Sequence, residues 1–142
     1  MNAMHMRPDL VYSVLCDDVR QEVNGKFIFI GVFQNIWAQR FPAVHPRICI
    51  ANSWYNGIGE FNVRSAIIAP DKKTKVIESV PVRISLTEEK RGSVVVNFFQ
   101  NVRFMQPGIY WVEVNLDDSL VARYPFQVST PPQKPPEQKN SP

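Results

Sequence analysis

The residues equipped for chemistry are few: His5 and His45, Cys16 and Cys49, and the carboxylates Asp17, Asp18 and Glu22. A Ser or Cys nucleophile needs a base within hydrogen-bond reach. His45, in the proline-bracketed segment Phe41-Pro42-Ala43-Val44-His45-Pro46-Arg47, is the one histidine away from the chain's start. No Gly-x-Ser-x-Gly elbow accompanies it, so no catalytic residue is assigned and the chain is read as a non-enzyme. Gly57-Ile58-Gly59 lacks the third glycine and the following helix of a phosphate-cradling loop, and reads as a turn.

Asp17, Asp18 and Glu22 could contribute to a Ca²⁺ site, but that ion takes roughly six to eight oxygen ligands. With Arg20 among them, the favoured reading is that Asp17-Asp18 ends a strand and bonds local backbone N–H groups. Trp37, Phe41, Trp54 and Tyr55 flank the crossing segment and could stack on a sugar, although core packing accounts for most of them. Asp17, Asp18, Trp54 and Tyr55 are therefore the candidate ligand loop, for a sugar or Ca²⁺. Cys16 and Cys49 lie in the apolar segments Val14-Leu15-Cys16 and Ile48-Cys49-Ile50. They read as two buried thiols, with a single disulfide as the alternative. Two cysteines are too few for a closed four-ligand zinc site, and no metal or cofactor is assigned.

The elements that must position these groups are strands. Val80, Val82, Ile84 and Leu86 alternate with polar residues or Pro81, and so do Tyr110, Val112, Val114 and Leu116. Leu120, Ala122, Tyr124, Phe126 and Val128 repeat the pattern. A period of two places successive side chains on opposite sheet faces. In Val94–Phe104 the even positions are read as inward, leaving Val95 and Phe99 outward. With Trp111 and Val121 these make a half-apolar outer face, the candidate interface. Phe27–Phe33 is apolar at both parities and is expected to be a central, covered strand. Asn24-Gly25 suits a type I′ hairpin, and Pro81 argues for an edge strand. The expectation is an all-β antiparallel sandwich of about seven to nine strands, immunoglobulin-like. The last three strands should form a meander, with Glu113 between Asn101 and Arg123 and Trp111 between Arg103 and Pro125.

Residues 1–8 are expected to be a flexible N-terminus, 9–128 a single sandwich domain, and 129–142 a disordered proline-rich tail. The tail holds five of the chain's 12 prolines and no other apolar side chain, so it cannot bury surface to offset ordering entropy. A net charge of +3 is mild. The clusters Lys72, Lys73, Lys75 and Lys90, Arg91 read as solvated loops, so no nucleic-acid partner is expected. No apolar run approaches the ~18 residues of a membrane span, and no targeting segment is read. The chain is expected to be cytoplasmic, with no membrane partner.

Leu15-Cys16-Asp17-Asp18-Val19-Arg20, Glu22-Val23-Asn24-Gly25-Lys26, Ile30-Gly31-Val32-Phe33, Phe41-Pro42 and Tyr124-Pro125-Phe126-Gln127-Val128 together resemble a family of small bacterial proteins known only as a domain of unknown function. The resemblance covers roughly residues 9–128 and implies a bacterial or phage origin. It brings no activity, ligand or catalytic residue. Gln106-Pro107-Gly108-Ile109-Tyr110 is similar to the late strands of immunoglobulin-like sandwiches, and such a fold leaves function open. The functional expectation is a non-enzymatic protein that acts by protein–protein contact, as a homo-oligomer or with another protein partner. A small-ligand module using the strand-end loops is the alternative.

Overall fold

Alternating apolar side chains carry Tyr110, Val112, Val114 and Leu116 to one face of their strand, where all four are buried. The same alternation builds the other strands, and a computed structural model describes residues 4–132. In chain order the strands are β1 (Asp9–Gln21), β2 (Phe27–Val32), β3 (Asn35–Trp37), β4 (Ala43–Tyr55) and β5 (Gly59–Ile68). They continue as β6 (Lys75–Glu78), β7 (Val82–Leu86), β8 (Ser93–Phe104), β9 (Gly108–Leu116) and β10 (Ser119–Ser129). No helix occurs among the described residues. The expected tail lies outside the described residues from 133 onward, and Ser129 itself closes β10.

One sheet runs β2-β1-β4-β8; the other runs β3-β10-β9-β5-β6, with β7 also on β5. Every pairing is antiparallel except β3 with β10. Between the sheets lies one core, including Ile48, Ile50, Trp54, Ile67, Phe104, Val112 and Phe126. The opposition of β1-β4-β8 to β10-β9-β5 matches the A-B-E and G-F-C strands of immunoglobulin-like sandwiches. Tyr110, at the start of β9, donates its hydroxyl to the Gln106 carbonyl at 2.6 Å, the tyrosine corner of that fold. Two polar contacts, the first buried and the second half-buried, tie the sheets together. Asn52 Nδ2 donates to Ser65 Oγ at 2.7 Å, and the Ser13 and Tyr124 hydroxyls lie 2.8 Å apart.

Several local expectations change. There are ten strands rather than seven to nine, partly because Pro81 falls between β6 and β7 instead of inside one strand. The last three strands do not form a meander, since β8 pairs with β4 in the opposite sheet. Glu113 does face Arg123, and Trp111 does face Pro125, but their other neighbours are Ala66 and Ile68 of β5. In β8 the inward phase is reversed over its first half: Val95 and Phe99 are buried, while Phe98 is half exposed. The ladder skips Pro46 and Asn101, and Asn101 has φ 53°. A left-handed residue there turns the strand by one position, which moves side chains from one face to the other. At Asn24-Gly25 only Gly25 takes positive φ, and Glu22 closes on Lys26. The hairpin is thus a three-residue loop, not type I′. Within the expected flexible start, Met6 bridges Ile58 and the His5 ring lies 4.9 Å from that of Phe61.

Candidate interaction surface

The ribbon formed by β1 and β2 does not stay in the plane of its sheet. Its first part is ordinary: Cys16 pairs with Cys49 on one side and Val32 on the other. Phe29 pairs with Val19, and a straight β1 would hold Val19 roughly 23 Å from Tyr12. Yet the Tyr12 and Phe29 rings meet edge-on at 5.7 Å. Gln21 and Phe27, near the ribbon's tip, line a cleft of about 540 Å³ with Ser53, Tyr55 and Val94. The chain therefore doubles back at Asp17 and lays the far half of the ribbon, an arm, across the outer face of the first sheet.

The bend has local causes. Gly31 sits opposite Asp17 with φ +67°, and a Cβ built on it would lie 2.3 Å from Asp17 Oδ2. Only glycine takes that conformation freely beside another side chain. Asp18 latches the arm down. Its carboxylate accepts from the Val19 N–H at 2.9 Å and from Arg20 Nε at 2.9 Å, and pairs with Arg47 Nη2 of β4 at 3.1 Å. The Val19 hydrogen bond above all, with help from both guanidiniums, holds its pKa below the usual carboxylate value. Arg47 in turn lies over the Phe98 ring, 4.9 Å from its centroid. Cys49 Sγ donates to the Asp17 carbonyl at 3.5 Å, and His45 Nε2 lies 3.9 Å from Asp17 Oδ1.

Under the arm, Cys16, Cys49 and Ala51 are fully buried although they belong to the outer face of their sheet. The two cysteines are free thiols, as expected, and directly paired across strands. Burial pushes the Cys16 thiol up from 9.0 to about 11, and the Cys49 thiol is raised for the same reason.

The arm's other face looks to solvent. Ile28 and Ile30 project from it, each with 44% of its surface exposed, and Val32, on the body side of the bend opposite Cys16, is 63% exposed. β2 is an edge strand, not the central, covered strand expected from Phe27–Phe33. Among the described residues no strand pairs with its outer side. Natural edges are usually blunted by shortness, charge, proline or a kink. The other edges follow this rule. β3, β6 and β7 have three, four and five residues, and β8 carries Arg103 and left-handed Asn101. Phe27-Ile28-Phe29-Ile30-Gly31-Val32 has neither charge nor proline, and its one kink, at Gly31, follows Phe27–Ile30, whose outer side stays open. Beside it, Val32, Phe33, Ile109, Tyr124 and Pro125 line an open groove of about 690 Å³ between the two sheets. Exposed apolar side chains beside unpaired backbone N–H and C=O groups suit the addition of another strand.

The residues singled out from sequence do not assemble. Val95 and Phe99 face the core, so they are not an outer interface. Trp111 lies on the outer face of the second sheet, half buried with Lys72 Nζ 4.5 Å over its ring. Val121 sits at a bulge in β10 and packs against the core from the side. In the ligand-loop set, Trp54 is fully buried and Tyr55 is exposed, at the far end of β4 from Asp17 and Asp18. Among the described residues no three His, Cys, Asp or Glu side chains cluster to hold a metal ion. Sequence reasoning missed Ile28, Ile30 and Val32. The available signal was Gly31 inside an apolar strand, which marks a bend or close backbone approach.

Comparison with known proteins gives a family and a fold. No curated protein matches the chain. An alkylpurine DNA glycosylase, AlkC of Pseudomonas fluorescens, solved bound to DNA containing an abasic site analog, is similar with a TM-score of 0.50 and 13% identity. The match covers 68% of this chain and 28% of the glycosylase, so the chain spans less than a third of that protein, and the likeness is one of fold. The CARDB domain of a Pyrococcus furiosus protein, solved with di-metal ions, aligns over 92% of this chain and 95% of its own, at 14% identity and a TM-score of 0.42. A model of a family of unknown function matches residues 11–129, which is nearly the whole sandwich, and the chain accordingly belongs to that family, DUF6941.

Proposed function

We propose that this chain is a non-enzymatic module that acts by protein–protein contact, associating with a second copy of itself along the free edge and outward face of β2. The observation that carries this reading is the uncharged, proline-free edge strand with Ile28 and Ile30 exposed on the arm and Val32 exposed beside the bend. A closed symmetric dimer needs a self-complementary patch. Two antiparallel β2 strands centred on Phe29 would set Ile28 of each copy beside Ile30 of the other. Sedimentation equilibrium of the natural chain and of Ile30→Asp tests it. The reading expects a reversible dimer that the substitution weakens at least tenfold. A natural chain that stays monomeric at high concentration, or a variant that associates equally well, contradicts it.

The setting is proposed to be the cytoplasm. Cys16 and Cys49 face each other across a strand pair and remain thiols, whereas disulfides persist in oxidising compartments. No helix among the described residues is long and apolar enough to cross a membrane. Partners other than nucleic acid are favoured because two lysines of the main basic cluster are engaged: Lys72 lies over Trp111 and Lys75 pairs with Glu78 at 2.5 Å.

A further inference from the structure

We infer that the arm is exchanged between two copies, each arm lying on the outer face of its partner's first sheet. This inference rests on the self-association reading and goes beyond it by naming what each copy lends the other. The surface that receives an arm is present on every copy, and its fit is already displayed within one chain. Tyr12 receives Phe29, Arg47 receives Asp18, and the Cys16, Cys49 and Ala51 surface is sealed from solvent. The charges are complementary, with Asp18 on the arm and Arg47 beneath.

The connection between arm and body is the kind that permits exchange. The β1–β2 register is the same on both sides of the bend: Cys16 pairs with Val32, and Asp18 with Ile30. Only the step at Asp17 and Gly31 is skipped. Straightening the ribbon there breaks no strand pairing. It changes the backbone at one point and leaves every arm contact available on a neighbour. Exchange of an identical element costs little beyond the hinge and the loss of translational freedom. It also brings the exposed Ile28 and Ile30 of two arms into one assembly, where they can be covered.

Charge-swapped chains test this. Asp18→Arg alone sets two cations together, and Arg47→Asp alone sets two anions together. In an exchanged heterodimer of the two variants both latches are matched, one reversed and one natural. The double variant Asp18→Arg/Arg47→Asp carries a matched latch within its own chain, which keeps the test usable if a single variant fails to fold. After prolonged incubation at high concentration, native mass spectrometry of differently tagged chains reads the composition of dimers. For the two single variants, exchange predicts heterodimers well above the half that random pairing gives. For the double variant mixed with the natural chain, exchange predicts heterodimers well below half. Dimers that pair at random in either mixture overturn arm exchange and leave edge association standing. A natural chain that forms no dimers overturns both.

Discussion

Removing the Phe29 ring should loosen the arm and expose the thiols beneath it, without a matching loss in the rest of the fold. Phe29 is half buried against Tyr12. Full burial of a phenylalanine stabilises by roughly 1.5–3 kcal/mol, so Phe29→Ala should cost the closed arm about 1 kcal/mol. That raises the open population on the order of fivefold. The natural thiols should react slowly for two reasons. They are fully buried, and the rise of Cys16 to about 11 removes most of its reactive thiolate. Titration of the folded protein at pH 8 with an aromatic disulfide reagent, followed by absorbance, measures the opening. The account expects roughly fivefold faster labelling in Phe29→Ala. It also expects little change in Val112→Ala, which weakens the core but leaves the arm's own contacts intact. Unchanged labelling in Phe29→Ala, or equal acceleration in both variants, would refute the idea that the arm opens as a separate unit.

Other consequences follow from the same geometry. Gly31→Ala should lower stability by about 1–2 kcal/mol in a urea titration, because φ +67° opposes a Cβ, while the exposed Asp17 carboxylate can swing aside. Tyr110→Phe should cost about 1 kcal/mol, measured the same way, through loss of the hydroxyl bond to the Gln106 carbonyl. Stability should also fall at alkaline pH. Burial raises Cys16 from 9.0 to about 11 and Tyr124 from 10.0 to about 12. The unfolded chain therefore releases these protons first, and the stability they contribute is lost between about pH 9 and pH 12. Denaturant titrations at pH 8 and pH 11 should show the loss, and Cys16→Ala should make it smaller.

Much of the fold is legible in the chain because a half-buried strand writes its period directly into the sequence. β9 and β10 show this well, and the Arg123–Glu113 pairing, at 2.6 Å in the structure, follows from aligning their apolar faces. β8 shows where the signal fails. In Val94–Phe99 only Asn97 is polar, so the period favours the even positions as inward. Asn97 is itself buried with Val95 and Phe99, however, and the left-handed turn at Asn101 separates this phase from that of Val102 and Phe104. The arm fails for a related reason. Phe27–Val32 has the composition of a strand covered on both sides. One side is indeed covered, but by the arm's own sheet, and the other is open. That arrangement depends on contacts distant in sequence, such as Asp18 with Arg47 and Tyr12 with Phe29. The thiols are the reverse case. Their apolar neighbours announced burial, whereas the layer that buries them could be seen only in three dimensions.

Amide hydrogen exchange of the natural chain, compared at low and high protein concentration, most directly tests whether a second copy docks along β2. The account predicts that amides within Phe27–Val32 slow as concentration rises, while those of β3, β6 and β7 exchange at unchanged rates. Exchange along β2 that is indifferent to concentration while dimers accumulate would contradict it.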